Sequence, residues 1–140
     1  MGSRTSVLII GMDSADFASL GEDHANREGL EEEALARLDA FGYMADRVVS
    51  DADGLIDATV SKLKASKPFD LVIIDLSVRL VLENFLLFEK LINLIREFAP
   101  KAIIAFNDSP DGSIDSVRRW APPDAKLFNK IRDVGFPDRF

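Results

Sequence analysis

The chain has 140 residues, a formal net charge of −7, one histidine and no cysteine. That length suits one domain, 1–140, with one core, while the absent thiols exclude disulfides, iron–sulfur clusters, thiolate zinc and cysteine nucleophiles. A lone histidine excludes a multi-histidine metal site within one chain, and the acidic balance argues against nonspecific nucleic-acid binding, which needs clustered Lys and Arg.

In chain order, the first apolar run is Val7-Leu8-Ile9-Ile10. It is continuous and rich in β-branched residues, as strands covered on both faces are. The polar stretch from Met12 to Gly29 reads as a long loop with His24 inside it. A helix is predicted where Leu30, Ala34, Leu35, Leu38 and Phe41 share one face. Glu31, Glu32 and Glu33 would form its first turn, favoured by the helix dipole, and Gly42 its stop. Met44 to Val49 is a more mixed run and fits an edge strand. Leu55, Ile56, Val60 and Leu63 predict a second helix, started by Asp51 or Asp53 and ended before Pro68.

Leu71-Val72-Ile73-Ile74 is the next buried strand, and a long helix is predicted from roughly Leu80 to Phe98, stopped by Pro100. Of the 18 residues from Val81 to Phe98, 11 are Val, Leu, Ile or Phe. Glu83, Glu89, Lys90, Arg96 and Glu97 in that stretch rule out a membrane span. Its apolar excess makes 81–98 a candidate interface, with a homodimer as one expected use. Ala102 to Phe106 is a further strand, Ile114 to Trp120 a short helix, and Lys126-Leu127-Phe128 a short fifth strand. Gly135 and Pro137 break up the last ten or so residues, so a final helix is short or missing. No segment reads as a targeting signal, and a cytoplasmic protein is the expectation.

The alternation of strands and helices predicts a three-layer α/β/α sandwich with a mostly parallel sheet. A flavodoxin-like strand order, 2-1-3-4-5, is the expectation. Ligands of such sheets bind beyond the carboxyl ends of the strands. Asp13 and Asp16 follow the first run, Asp75, Ser77 and Arg79 the third, and Asn107 and Asp108 the fourth. Carboxylates gathered there repel one another unless a cation joins them, and Mg²⁺ prefers all-oxygen surroundings. The competing reading is that they are helix caps and turn residues, which favour the same residue types. Asp75 is the most informative, because it ends an apolar strand where an idle carboxylate is costly.

The stretch Gly42-Tyr43, a mixed strand, a helix, Lys67-Pro68-Phe69-Asp70 and then Leu71 to Leu76 resembles the receiver domain of two-component response regulators. The resemblance implies Asp75 as phosphoacceptor, Asn107 in place of a conserved hydroxyl residue and Lys130 as the conserved lysine. Asp13 and Asp16 would hold Mg²⁺ together with Asp75. A histidine kinase or phosphotransfer protein would then be the partner. The chain reads Gly11-Met12 where that family has two acidic residues, and Ile131 where it has proline. Those departures imply either a divergent receiver or a pseudo-receiver that keeps the fold and acts by binding. A structural or oligomerisation module using 81–98 is the expectation from a different class.

A second stretch, Leu8-Ile9-Ile10-Gly11-Met12-Asp13-Ser14, resembles the nucleophile block of GDSL-type (SGNH) esterases, with Ser14 as nucleophile. Met12 interrupts the Gly-Asp-Ser triplet, and the C-terminal Asp-X-X-His pair is missing. A serine hydroxyl without a base is a weak nucleophile, so this reading implies a degenerate hydrolase.

Overall fold

The computed structural model describes residues 4–12, 24–65, 67–79, 85–109 and 112–121. Four strands form a parallel sheet: β1 (Ser6–Met12), β2 (Met44–Ser50), β3 (Leu71–Ile74) and β4 (Ile103–Phe106). Their order is β2-β1-β3-β4. Ile10 lies between Val48 and Ile74, and Ile74 in turn faces Phe106. The helices are α1 (His24–Ala40), α2 (Leu55–Ala65), α3 (Leu76–Arg79), α4 (Phe85–Phe98) and α5 (Ser113–Trp120).

Alternation along each strand splits the core into two layers. Val7, Leu71, Ile73 and Ala105 pack with Leu38, Ile114 and Val117 of α1 and α5. Leu8, Ile10, Val72 and Ile74 pack with Leu55, Leu63, Leu91 and Ile95 of α2 and α4. Burying each such side chain fully is worth roughly 1.5–3 kcal/mol. The two central strands therefore read as unbroken apolar runs, because both faces are covered. This is the expected α/β sandwich, with the mixed strand β2 at an edge. The fifth strand expected at Lys126–Phe128 lies outside the described residues. None of the described helices is long and apolar enough to cross a membrane.

The turns follow simple chemistry. Gly42 has φ +96°, a left-handed conformation that suits glycine at a helix stop. Just beyond it, the Tyr43 N–H returns to the Leu38 carbonyl at 3.0 Å. The Tyr43 hydroxyl donates to the Ala121 carbonyl at 2.5 Å, tying the start of β2 to the end of α5. Of the two aspartates expected before α2, Asp51 forms the turn, its Oδ1 accepting the Gly54 N–H at 2.8 Å.

Two expectations need correction. His24 is not in a loop; it is the first residue of α1, which begins well before Leu30. Ala25, Arg27 and Glu28 favour a helix without adding to its apolar stripe, so periodicity detects only the later turns. Glu31, Glu32 and Glu33 accordingly sit in mid-helix, where Glu31 pairs with Arg47 of β2 at 3.0 Å. After β3, Leu76–Arg79 makes the short helix α3, an element without a sequence signal. The long helix is described from Phe85 onward; residues 80–84 lie outside the described set.

Candidate functional site

The tips of β1, β3 and β4 meet at the carboxyl edge of the sheet, and a short helix stitches them together. A helix start leaves backbone N–H groups without partners inside the helix. At α3 these donors are met by side chains from two strand tips. Asp75 Oδ2 accepts the Ser77 N–H at 2.9 Å. Asn107 Oδ1 accepts the Leu76 N–H at 2.9 Å. Asp75 is thus the N-cap of α3, a role for which aspartate is well suited. It also stays in the sheet, its own N–H donating to the Ile10 carbonyl at 2.8 Å.

The same bonds continue outward. The Ser77 hydroxyl oxygen accepts the Met12 N–H at 2.9 Å, joining α3 to β1. Asn107 Nδ2 donates to the Ser113 hydroxyl at 2.9 Å, joining β4 to α5. One turn further, the Ser116 hydroxyl donates to the Phe106 carbonyl at 2.7 Å. Asp75, Ser77, Asn107, Ser113 and Ser116 are all buried, Asp75 at 2% exposure. Buried polar groups persist only when hydrogen-bonded, and these satisfy one another.

Arg79 closes the site on the α4 side. Its Nη2 donates to the Asn107 carbonyl. The guanidinium carbon lies 5.1 Å from the centre of the Phe106 ring, a cation–π contact. Burial lowers the pKa of this guanidinium, while the charges of Asp75 and Asp108 act to raise it. Phe106 itself packs tilted against Phe88 of α4, ring centres 5.9 Å apart.

The β1 tip contributes shape and no acid among the described residues. A Cβ at Gly11 would stand 3.7 Å from Asp75 Cβ and 3.4 Å from the Ser77 hydroxyl oxygen. Met12 turns into the core against α2 and α4. Between Gly11, Asp75, Ser113, Glu31 and Arg47 lies a cavity of about 10 Å³, space for about one water. The roomier depression, about 510 Å³, is at the opposite, amino edge beside Arg4, Asp39 and Asp46. Its charges are largely paired already: Arg4 with Asp39 at 3.0 Å, and Asp46 with Lys62 at 2.5 Å.

Of the residues expected to act together, Asp75 and Asn107 do converge, on successive N–H groups of α3. Asp13, Asp16, Ser14 and Lys130 lie outside the described residues. Among the described residues, no three Asp, Glu or His side chains are placed to share a metal ion. Ser113 and Ser116 were not anticipated. Their signal was a pair of hydroxyls interrupting the apolar face that Ile114 and Val117 define. Compared with protein-family models, with curated proteins and with solved structures, the chain matches none.

Proposed function

We propose that this chain is a receiver-like interaction module that works by binding, without phosphoryl transfer. The observation that carries this reading is the use made of Asp75. Phosphoryl transfer needs the accepting oxygen in line with the leaving group. Asp75 is 2% exposed, and one of its oxygens holds the Ser77 N–H. Asn107, in the place of the hydroxyl residue, has both ends of its amide engaged. Gly11 and Met12 stand where the receiver pattern has acids.

The working surface in this reading is the start of α4 beside the β4 tip. Phe85 and Leu86 are 58% and 62% exposed there, and Phe106 is 40% exposed. Apolar side chains clustered on a surface suit a protein partner or a second copy of the chain. The reading carries the finer topology with it: a fifth strand at Lys126–Phe128 along the outer side of β4, giving the order 2-1-3-4-5, followed by Lys130. It also places the module in the cytoplasm.

The phosphoryl-accepting version is the rival. It calls for Mg²⁺ held by Asp13, Asp16 and Asp75, with a histidine kinase or phosphotransfer protein as donor. Incubation of the wild type and Asp75→Asn with acetyl phosphate and Mg²⁺, followed by intact mass measurement, separates the two. We expect both proteins to stay unmodified. A phosphoryl adduct on the wild type that Asp75→Asn lacks overturns the binding-only reading.

A further inference from the structure

An edge strand offers a row of outward N–H and C=O groups to any other strand. Among the described residues β2 is such a strand, seven residues long and without proline. In a parallel pair, alternate residues turn their backbone groups toward the neighbour. The Met44 N–H donates to the Thr5 carbonyl at 2.8 Å, so Met44, Asp46 and Val48 face β1. Ala45, Arg47 and Val49 therefore face outward.

The middle one of these three donors is already taken. The Arg47 N–H donates to Oδ1 of the neighbouring Asp46 at 2.8 Å. The other oxygen of that carboxylate is held by Lys62 Nζ of α2 at 2.5 Å. The Arg47 side chain turns to the opposite layer and pairs with Glu31 of α1. Both central residues of the strand are thus charged, and each is anchored to the helix layer on its own face.

We propose that Asp46 is an edge guard, which caps the outward N–H of Arg47 and so keeps β2 from pairing with the β2 of a second copy. A second copy is the relevant occupant because an identical strand is always available and the charges bear directly on it. Antiparallel pairing about a twofold axis at Arg47 sets the two Arg47 side chains opposite each other. Pairing centred on Asp46 sets the two Asp46 carboxylates opposite each other. Like charges directly opposite are destabilising, so the strand repels its own copy in both central registers. Removing Asp46 frees the N–H and relieves one of these repulsions together.

The test compares the wild type with Asp46→Ala by light scattering over a range of concentrations and by amide hydrogen exchange at β2. In the dilute wild type, the Arg47 amide exchanges more slowly than those of Ala45 and Val49. In dilute Asp46→Ala its exchange speeds up by about fivefold, the factor that one modest hydrogen bond supplies. On concentration, the mass of Asp46→Ala rises above that of the wild type toward double. Adding Val49→Pro, which an outward edge position tolerates, returns it to the wild-type value. Lys62→Gln, at a half-buried helix position, loosens the hold on Asp46 and speeds Arg47 exchange by less, while its mass stays at the wild-type value because both strand charges remain. Unchanged Arg47 exchange in Asp46→Ala, or a mass of Asp46→Ala no greater than that of the wild type, overturns the proposal.

Discussion

The carboxyl tips of β3 and β4 and the neighbouring start of α4 treat their residues in opposite ways. At the tips, Asp75, Ser77, Asn107 and Ser113 are polar and buried. At the start of α4, Phe85 and Leu86 are apolar and exposed. Each is an exception to the usual sorting of residues, and exceptions are the informative cases. The polar group is closed on itself: the two side-chain acceptors meet the first two N–H groups of α3, and the Asn107 amide continues to α5. Such a network holds three strand ends and two helices in one arrangement. The apolar group answers no demand of that kind in the described core. Arg79 stays on the strand-tip side, bonded to the Asn107 carbonyl and lying over the Phe106 ring. The lesson is that the feature most suggestive of chemistry also caps a helix and joins the strand tips, while the exposed apolar side chains lie beside it.

Breaking the polar side of that comparison should give the largest effect. Asn107→Ala leaves the Leu76 N–H and the Ser113 hydroxyl without their partner in a buried place. Each buried group left unpaired costs about 1–3 kcal/mol, so a loss of about 2–6 kcal/mol in urea unfolding is expected. A loss below about 1 kcal/mol would mean that water reaches the strand tips, and the closed network would be wrong.

Asp75 sharpens the contrast through a sign. Asp75→Ala removes an N-cap and should destabilise by about 1–2 kcal/mol. Asp75→Asn keeps an acceptor for the Ser77 N–H and should cost less than the alanine change. If Asp75 instead stood in a crowd of carboxylates awaiting a cation, removing its charge would relieve repulsion. Stabilisation by Asp75→Asn in metal-free buffer would therefore favour the Mg²⁺ version. A smaller loss is expected from Tyr43→Phe, which removes the hydroxyl donated to the Ala121 carbonyl. About 1 kcal/mol is the expected cost in the same unfolding measurement.

What the sequence could and could not convey follows from the range of the interactions. β1, β3 and β4 were legible because strands covered on both faces need an uninterrupted apolar run, as Leu71 to Ile74 provides. β2 was legible as an edge because Asp46 and Arg47 interrupt it. The start of α1 was hidden, since helix-favouring residues before Leu30 carry no apolar stripe. α3 was hidden for a different reason. Four residues leave no periodicity to detect, and this helix is held by donors and acceptors from Met12 and Asn107, far away in sequence. Asp75 and Asn107 could be singled out as polar residues ending apolar strands. That they share one helix terminus is a tertiary fact.

The smallest expected effect on stability belongs to the apolar side of the comparison, and it is the one that tests the proposed binding function most directly. Phe85→Ser and Leu86→Ser alter side chains that are more than half exposed. Substitutions at such positions usually change stability by no more than about 0.5 kcal/mol. The unfolding midpoint should hardly move in either variant, or in the double variant. If this surface mediates binding, the same changes should abolish concentration-dependent association seen by light scattering, or capture of a protein partner that the wild type retains. A fall of more than about 1.5 kcal/mol would point the other way, because a loss of that size is typical of a large apolar side chain leaving a core. In that case Phe85 and Leu86 would be covered within the folded chain itself, and the interaction surface would have to be sought elsewhere.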